Sequence, residues 1–318
     1  MKRTLVILAA FLVAATGWIV VAQDYDLREE RVEIGDLRGV LAKPPGDGPF
    51  GLVVFVHGDG PIDATHDGHY RPLWEEFGRA GYASLSWDKP GVADAPGNWL
   101  HQSMRDRADE TAGAITWARG RPDVDPRRIG LWGASQAGWV LPRLAATNTD
   151  VRFVIAVSPA VNWLRQGEYD LVTSLRGRPE AEVRAALDRR GRRLALLARD
   201  ASYAEYREVD PDMTEDRWRF VTLNHRSDAS ADLAASRVPV FLALGDHDVH
   251  VDADETARVY ADLVPDLEVH RYRDATHGLA EPAVEDSAVW GTLVALFAPR
   301  SVYADGVLDD QRRFLERR

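Results

Sequence analysis

Arg128-Ile129-Gly130-Leu131-Trp132-Gly133-Ala134-Ser135-Gln136-Ala137-Gly138 is the stretch that decides the fold. A short apolar run leads into Gly-Ala-Ser-Gln-Ala-Gly, and Trp139-Val140-Leu141 follows. The pattern reads as strand, sharp turn, helix, with serine at the apex. Small residues at 133, 134, 137 and 138 suit a strained turn that passes close to neighbouring backbone. The pentapeptide matches G-x-S-x-G except that Ala137 replaces the last glycine, and Gly138 comes next. Such a pentapeptide is a weak signal alone, so the rest of the chain must supply the partners that a reactive serine needs.

Working outward, buried strands recur. Leu52-Val53-Val54-Phe55-Val56 is a continuous apolar, β-branched run, the mark of a strand covered on both faces, and it ends in His57-Gly58-Asp59-Gly60-Pro61. Before it, Arg31–Ile34 and Leu37–Ala42 read as two antiparallel edge strands with a turn at Gly35-Asp36. After it comes a helix from about Pro72 to Ala80, stopped by Gly81, then a strand from Tyr82 to Trp87 ending in Asp88-Lys89-Pro90-Gly91. Met104 to Arg119 carries small or apolar residues at Ala108, Ala112, Ile115 and Ala118, a helical period. Pro142 should kink the helix after Ser135. Val151–Val157 is another buried strand. Val238–Leu244 ends in Gly245-Asp246-His247-Asp248-Val249, a helix covers Asp254 to Leu263, and Leu267–Tyr272 runs into Asp274-Ala275-Thr276-His277-Gly278. A helix near Ser287–Phe297 and an amphipathic tail finish the chain. Strands alternating with helices predict an α/β fold on a mostly parallel, doubly wound sheet.

Residues 162–236 break this rhythm. No buried strand occurs, charge is dense, and helical stretches fall around Pro179–Ala198 and Asp212–His225. Leu187, Leu194, Leu197, Trp218 and Phe220 need burial, which predicts an inserted helical cap rather than a solvated linker. The core then comprises residues 24–161 and 237–318.

Several of these landmarks together resemble the α/β-hydrolases, closest to the bacterial serine esterase and acyl-peptidase-like branch. They are Val54–Pro61, Asp88–Gly91, Asp125–Gly130, Gly133–Trp139 with Pro142, Val238–Val249 and Thr276-His277-Gly278. The resemblance covers roughly residues 30–160 and 236–300. It implies the α/β-hydrolase fold and the chain order nucleophile, acid, histidine at strand ends, here Ser135, Asp248 and His277. Asp246 and Asp252 share the loop with Asp248, and family spacing favours Asp248. Each role has a physical reason. A serine hydroxyl is a weak nucleophile without a base, His277 would be that base, and a carboxylate would hold the imidazole in one tautomer and stabilise its cation. The backbone N–H groups of Gln136 and Asp59 would receive the developing oxyanion; losing one such donor typically costs about 3 kcal/mol. An acidic side chain at 59 is expected to point away from that anion.

The expected reaction is hydrolysis of a carboxylic ester through an acyl-enzyme. The same residues would serve a peptidase, amidase or thioesterase acting on a small-molecule or peptide acyl substrate, and a catalytically silent binding protein is the reading from another class. No cofactor is implied. Asp63, His66, Asp67 and His69 form a second polar cluster whose spacing fits no metal-ligand template. A net charge of −11, from 39 basic and 50 acidic residues, argues against nucleic acid as a partner. Without cysteine, disulfides and thiolate chemistry are excluded. At the N-terminus, Lys2 and Arg3 precede an apolar run from Leu5 to Val21, and Val20-Val21-Ala22 offers a cleavage site. Residues 1–22 are therefore expected to be an export signal or an uncleaved membrane anchor, with the catalytic part outside the cytoplasm.

Overall fold

The computed structural model describes residues 13–318. Eight strands form one sheet: β1 (Arg28–Ile34), β2 (Leu37–Lys43), β3 (Phe50–Val56), β4 (Tyr82–Trp87), β5 (Val124–Ala134), β6 (Val151–Val157), β7 (Val240–Gly245) and β8 (Leu267–Tyr272). Their spatial order is β1-β2-β4-β3-β5-β6-β7-β8. The β1–β2 and β2–β4 pairs are antiparallel, and every later pair is parallel. Strands in the parallel part read as unbroken apolar runs because helices cover both faces. Leu52, Val53, Val54 and Phe55 of β3 are fully buried, and so are Phe241 to Leu244 of β7.

One face of the sheet carries the helices Arg71–Arg79 and Val307–Glu316, whose Leu73, Trp74, Phe77, Phe314 and Leu315 pack on Val53, Phe55 and Phe241. The other face carries Met104–Arg119, Leu141–Thr147 and Ala253–Leu263, which contribute Met104, Ala108, Ile115, Leu141, Leu144 and Tyr260. At roughly 1.5–3 kcal/mol per buried large apolar side chain, these two layers hold the sheet rigid beneath its loops.

Three expectations are corrected. Of the first two strands only β1 lies at a sheet edge; β2 is paired on both sides, which fits the burial of Leu41 and Ala42. Pro142 does not kink a helix: Ser135–Trp139 is a separate 3-10 turn, and Pro142 sits in the first turn of a new helix starting at Leu141, where its missing N–H costs nothing. Between β6 and β7 there are five helices rather than two stretches: Trp163–Ser174, Glu180–Ala198, Tyr203–Val209, Glu215–Asn224 and Ser230–Ala235. The additional ones are short or rest on side-chain caps such as Asn162 and Ser202, which a search for apolar period passes over. Of the signal or anchor read over residues 1–22, the part before residue 13 lies outside the described residues, and residues 13–22 are helical.

Candidate active site

Ser135 caps β5 with φ of +55°, a left-handed conformation that β-carbon-bearing residues adopt only under constraint. The constraint is local crowding. A Cβ on Gly133 would stand 2.7 Å from the Ala137 Cβ and 2.8 Å from the Val56 carbonyl oxygen. One on Gly138 would stand 2.6 Å from the Ala160 nitrogen. The Ala160 N–H donates to the Ser135 carbonyl at 3.0 Å, which ties the turn to the chain after β6. Ala137, fully buried, fits where the motif has glycine, and the glycine that the packing demands is Gly138.

The loops after β7 and β8 bring an acid to a histidine. His277 Nδ1 lies 2.7 Å from Asp248 Oδ2, and the Asp248 side chain is only 1% exposed. The other oxygen, Oδ1, accepts from the backbone N–H groups of His250 and Val251 at 2.8 Å each. An Nδ1–H directed at the carboxylate leaves His277 Nε2 with its lone pair. The neighbouring aspartates are engaged elsewhere: Asp246 accepts from Arg271 Nε at 2.8 Å, and Asp252 caps the helix Ala253–Leu263. Ser135 and His277 line one cavity of 790 Å³ together with Gly58, Asp59 and Gln136. Among the described residues no hydrogen bond joins Ser135 to His277, a common state before substrate tightens such a site. Apolar walls come from Ile62, Trp132, Val157, Trp163, Leu279 and Val302.

Against this geometry, a family model described as Hydrolase_4, serine aminopeptidase, S33, matches residues 47–282. The chain belongs to this family. It is an α/β-hydrolase. Solved structures agree at the level of fold. The Pyrococcus furiosus esterase Pf2001 aligns with a TM-score of 0.57 at 18% identity, covering 93% of each chain. The α/β hydrolase GrgF of Penicillium sp. sh18 also gives 0.57, at 19% identity over 92% of this chain and 98% of that one. Among curated relatives, the polyketide transferase claH of Penicillium crustosum is 29% identical over 30% of this chain and 31% of its own length. The thiohydrolase apmlB of Arthrinium phaeospermum is 29% identical over 41% of this chain and 43% of its own length. The chain thus spans less than half the length of these curated relatives.

The hydrolase holds its β3 loop with buried charge. Lys89 Nζ donates to the carbonyls of Gly58, at 2.6 Å, and Gly60, at 2.9 Å. Burial, followed by the charge of Arg107, pushes this amine well below its ordinary range. Arg107, also buried, donates to the His57 carbonyl at 2.5 Å and to Gln136 Oε1. His57 Nε2 lies 2.6 Å from the Trp87 carbonyl, so it carries the proton, and Nδ1 accepts from the Tyr70 hydroxyl at 3.0 Å. Burial, then the Lys89 charge, lowers His57 far below its usual range and keeps the ring neutral. These contacts fix the chain on either side of Asp59 and the side chain of Gln136.

The Asp59 side chain is paired rather than free. It lines the cavity, and its carboxylate accepts from Gln136 Nε2 at 2.9 Å and, in a two-pronged pair, from Arg217 at 2.9 and 3.1 Å. Burial raises this carboxyl, but the Arg217 hydrogen bonds and charge outweigh it and leave it below the usual range. The Arg217 guanidinium balances the carboxylate charge. Arg217 belongs to the helix Glu215–Asn224, so the pair also fastens the insertion to the loop after β3. On the other side, the Tyr169 hydroxyl donates to the Asp248 carbonyl at 2.9 Å, and Gln166 to the His250 carbonyl at 3.1 Å.

Sequence reading passed over Arg107 and Arg217. Arg107 carried a usable signal, an arginine on the stripe 107, 111, 114, 118 that faces the core; Arg217 carried none. The Asp63 cluster is a turn: the Asp63 carboxylate accepts from the N–H groups of Thr65, at 2.9 Å, and Asp67, at 3.0 Å.

Proposed function

We propose that the protein hydrolyses carboxylic esters through an acyl-enzyme on Ser135. The observation that carries this reading is the buried Asp248–His277 pair opening onto the same cavity as a serine in a strained turn. Ser135 Oγ attacks the acyl carbon and passes its proton to His277 Nε2. The cation formed is stabilised by Asp248 through Nδ1–H. The tetrahedral oxyanion is received by the backbone N–H groups of Gln136 and Asp59. Collapse expels the alcohol, protonated by His277; water, deprotonated by the same ring, then releases the acid and restores Ser135. The apolar walls suit an uncharged acyl or alcohol group.

The test is turnover of short- and medium-chain p-nitrophenyl esters by the protein and by Ser135→Ala. Loss of turnover in the variant, with an unchanged melting temperature, supports the reading; equal turnover in both overturns it. A thioesterase is the second reading, favoured by the thiohydrolases among the distant relatives. Matched oxygen and sulfur esters of one acid, compared by kcat/KM, separate the two.

A further inference from the structure

Between the loop bearing His277 and the last core helix, Val307–Glu316, the chain makes an excursion. It leaves at Ala280 and returns at Tyr303, where the two residues form a β-bridge and the Ala304 N–H donates to the Leu279 carbonyl at 2.9 Å. The excursion carries the helix Ala288–Phe297, Ala-Val-Trp-Gly-Thr-Leu-Val-Ala-Leu-Phe, which has no charged side chain and no buried residue. Val289 is 74% exposed and Trp290 51%, and Leu293 and Leu296 are exposed as well. An apolar helix left open to water is costly and prone to association unless something covers it.

The other concentration of exposed apolar side chains lies in the helical segment 13–22, at Val13, Trp18, Val20 and Val21. The two are joined. Trp18 Nε1 donates to the Phe297 carbonyl at 2.8 Å, and Gln23 Nε2 to the Ala295 carbonyl at 2.7 Å, so the N-terminal segment caps the end of the excursion helix. Arg300 Nη1 donates to the Ala22 carbonyl at 2.9 Å and its Nε to Glu75 at 2.7 Å, which locks the junction to the core. The described part of the apolar N-terminal run, residues 13–21, therefore joins the same face. Val284, Glu285 and Gly291 of the excursion line the cavity that holds Ser135.

We infer that the helix Ala288–Phe297 and the segment 13–22 form one membrane-docking face, which lies in the interface of a phospholipid bilayer beside the mouth of the cavity. The occupant is lipid because the face is continuous with the apolar N-terminal run, carries two tryptophans of the kind that settle at headgroup depth, and bears no charge that a protein partner would pair. At ten residues the helix Ala288–Phe297 is too short to span a hydrocarbon core of roughly 30 Å, so this face lies on the bilayer. With a net charge of −11, docking rests on apolar burial, and neutral lipid is the proper probe.

The chain lacks cysteine, which allows single-site labelling. Full-length protein carrying Val289→Cys or Leu293→Cys, labelled with the fluorophore NBD, is mixed with phosphatidylcholine vesicles, with Leu187→Cys on the insertion as reference. Melting temperatures establish that each variant is folded. The expected result is a blue shift and several-fold brighter emission at 289 and 293, quenched by brominated lipid, and none at 187. Vesicle binding without a change at 289 and 293 would mean that the N-terminus tethers the protein alone, and overturns the inference. So does a blue shift that precedes lipid and grows with protein concentration, because a second copy would then cover the face. The readout does not depend on turnover, so it stands or falls separately from the ester reaction.

Discussion

Asp246, Asp248 and Asp252 share one loop, and their hydrogen bonds separate them. Asp248 alone reaches His277, while Asp246 is held by Arg271 and Asp252 by a helix N-terminus. Asp248→Asn is expected to lower kcat by about 10³- to 10⁴-fold, because an amide cannot hold the tautomer or stabilise the cation. Asp246→Asn is expected to stay within a few-fold of the parent, since Arg271 keeps Asp254 at 2.5 Å. Steady-state kinetics on one ester rank the two, and the reverse order would move the acid to 246. Gly138→Ala should destabilise by about 1–3 kcal/mol in urea, because its Cβ meets the Ala160 backbone, which cannot move without shifting β6. A parental stability would show that the turn has slack. Ser135, Asp248 and His277 were legible because a turn motif and two strand-end loops carry them. Arg217 was not, because its partner Asp59 lies far off in sequence and meets it only in the folded chain; for Arg107 the core-facing position was legible but the partner Gln136 was not.

At the scale of elements, apolar patterning located β4, β8 and the helix Met104–Arg119 to the residue, since each is flanked by glycine, proline or a capping serine. It failed where burial is shared unevenly. Helices between β6 and β7 expose much of their surface, so caps and tertiary contacts mark them better than period does. The role of the helix Ala288–Phe297 was also hidden: its composition is that of a core helix, and only the fold shows that Val307–Glu316 covers the sheet instead. The Arg217–Asp59 pair gives the insertion a definite attachment. Arg217→Ala is expected to raise KM and speed trypsin cleavage within residues 163–235, while the melting temperature shifts little, because a partly exposed pair contributes about 0–1 kcal/mol. Unchanged KM and cleavage would show that Arg217 fastens nothing. The sign with pH follows from the Asp59 carboxyl. It is held below its usual range, so the attachment is present above about pH 4 and is lost as pH falls beneath that.

For the molecule as a whole, the α/β class was legible but the sheet order was not. Antiparallel entry through β1 and β2 places β2 against β4 rather than β3, and no local pattern encodes which strand a hairpin joins. Charge secures this arrangement. Lys43, at the end of β2, donates to Glu30 of β1 at 2.6 Å and to Asp123, just before β5, at 2.9 Å. Arg121 pairs with both acids as well. Lys43 places a compact ammonium between the two carboxylates, and the Arg121 guanidinium reaches both from beside it. The Lys43 hydrogen bond holds the Glu30 carboxyl below its usual range, and Arg121, with Lys43, holds Asp123 far below its own. Carboxyls depressed in the folded state add stability that is complete above their unfolded pKa and disappears as pH falls through the folded value. Lys43→Met should therefore cost about 1 kcal/mol at pH 7, a modest figure because Glu30 stays partly exposed to solvent. The gap between parent and variant should hold down to about pH 4 and begin to narrow below it, where the unfolded chain takes up protons first. Urea midpoints of both proteins between pH 7 and pH 3 measure that gap. A gap that widens in acid would mean that Lys43 acts through its packed methylene stem, leaving Arg121 as the cation that ties Glu30 of the hairpin to Asp123.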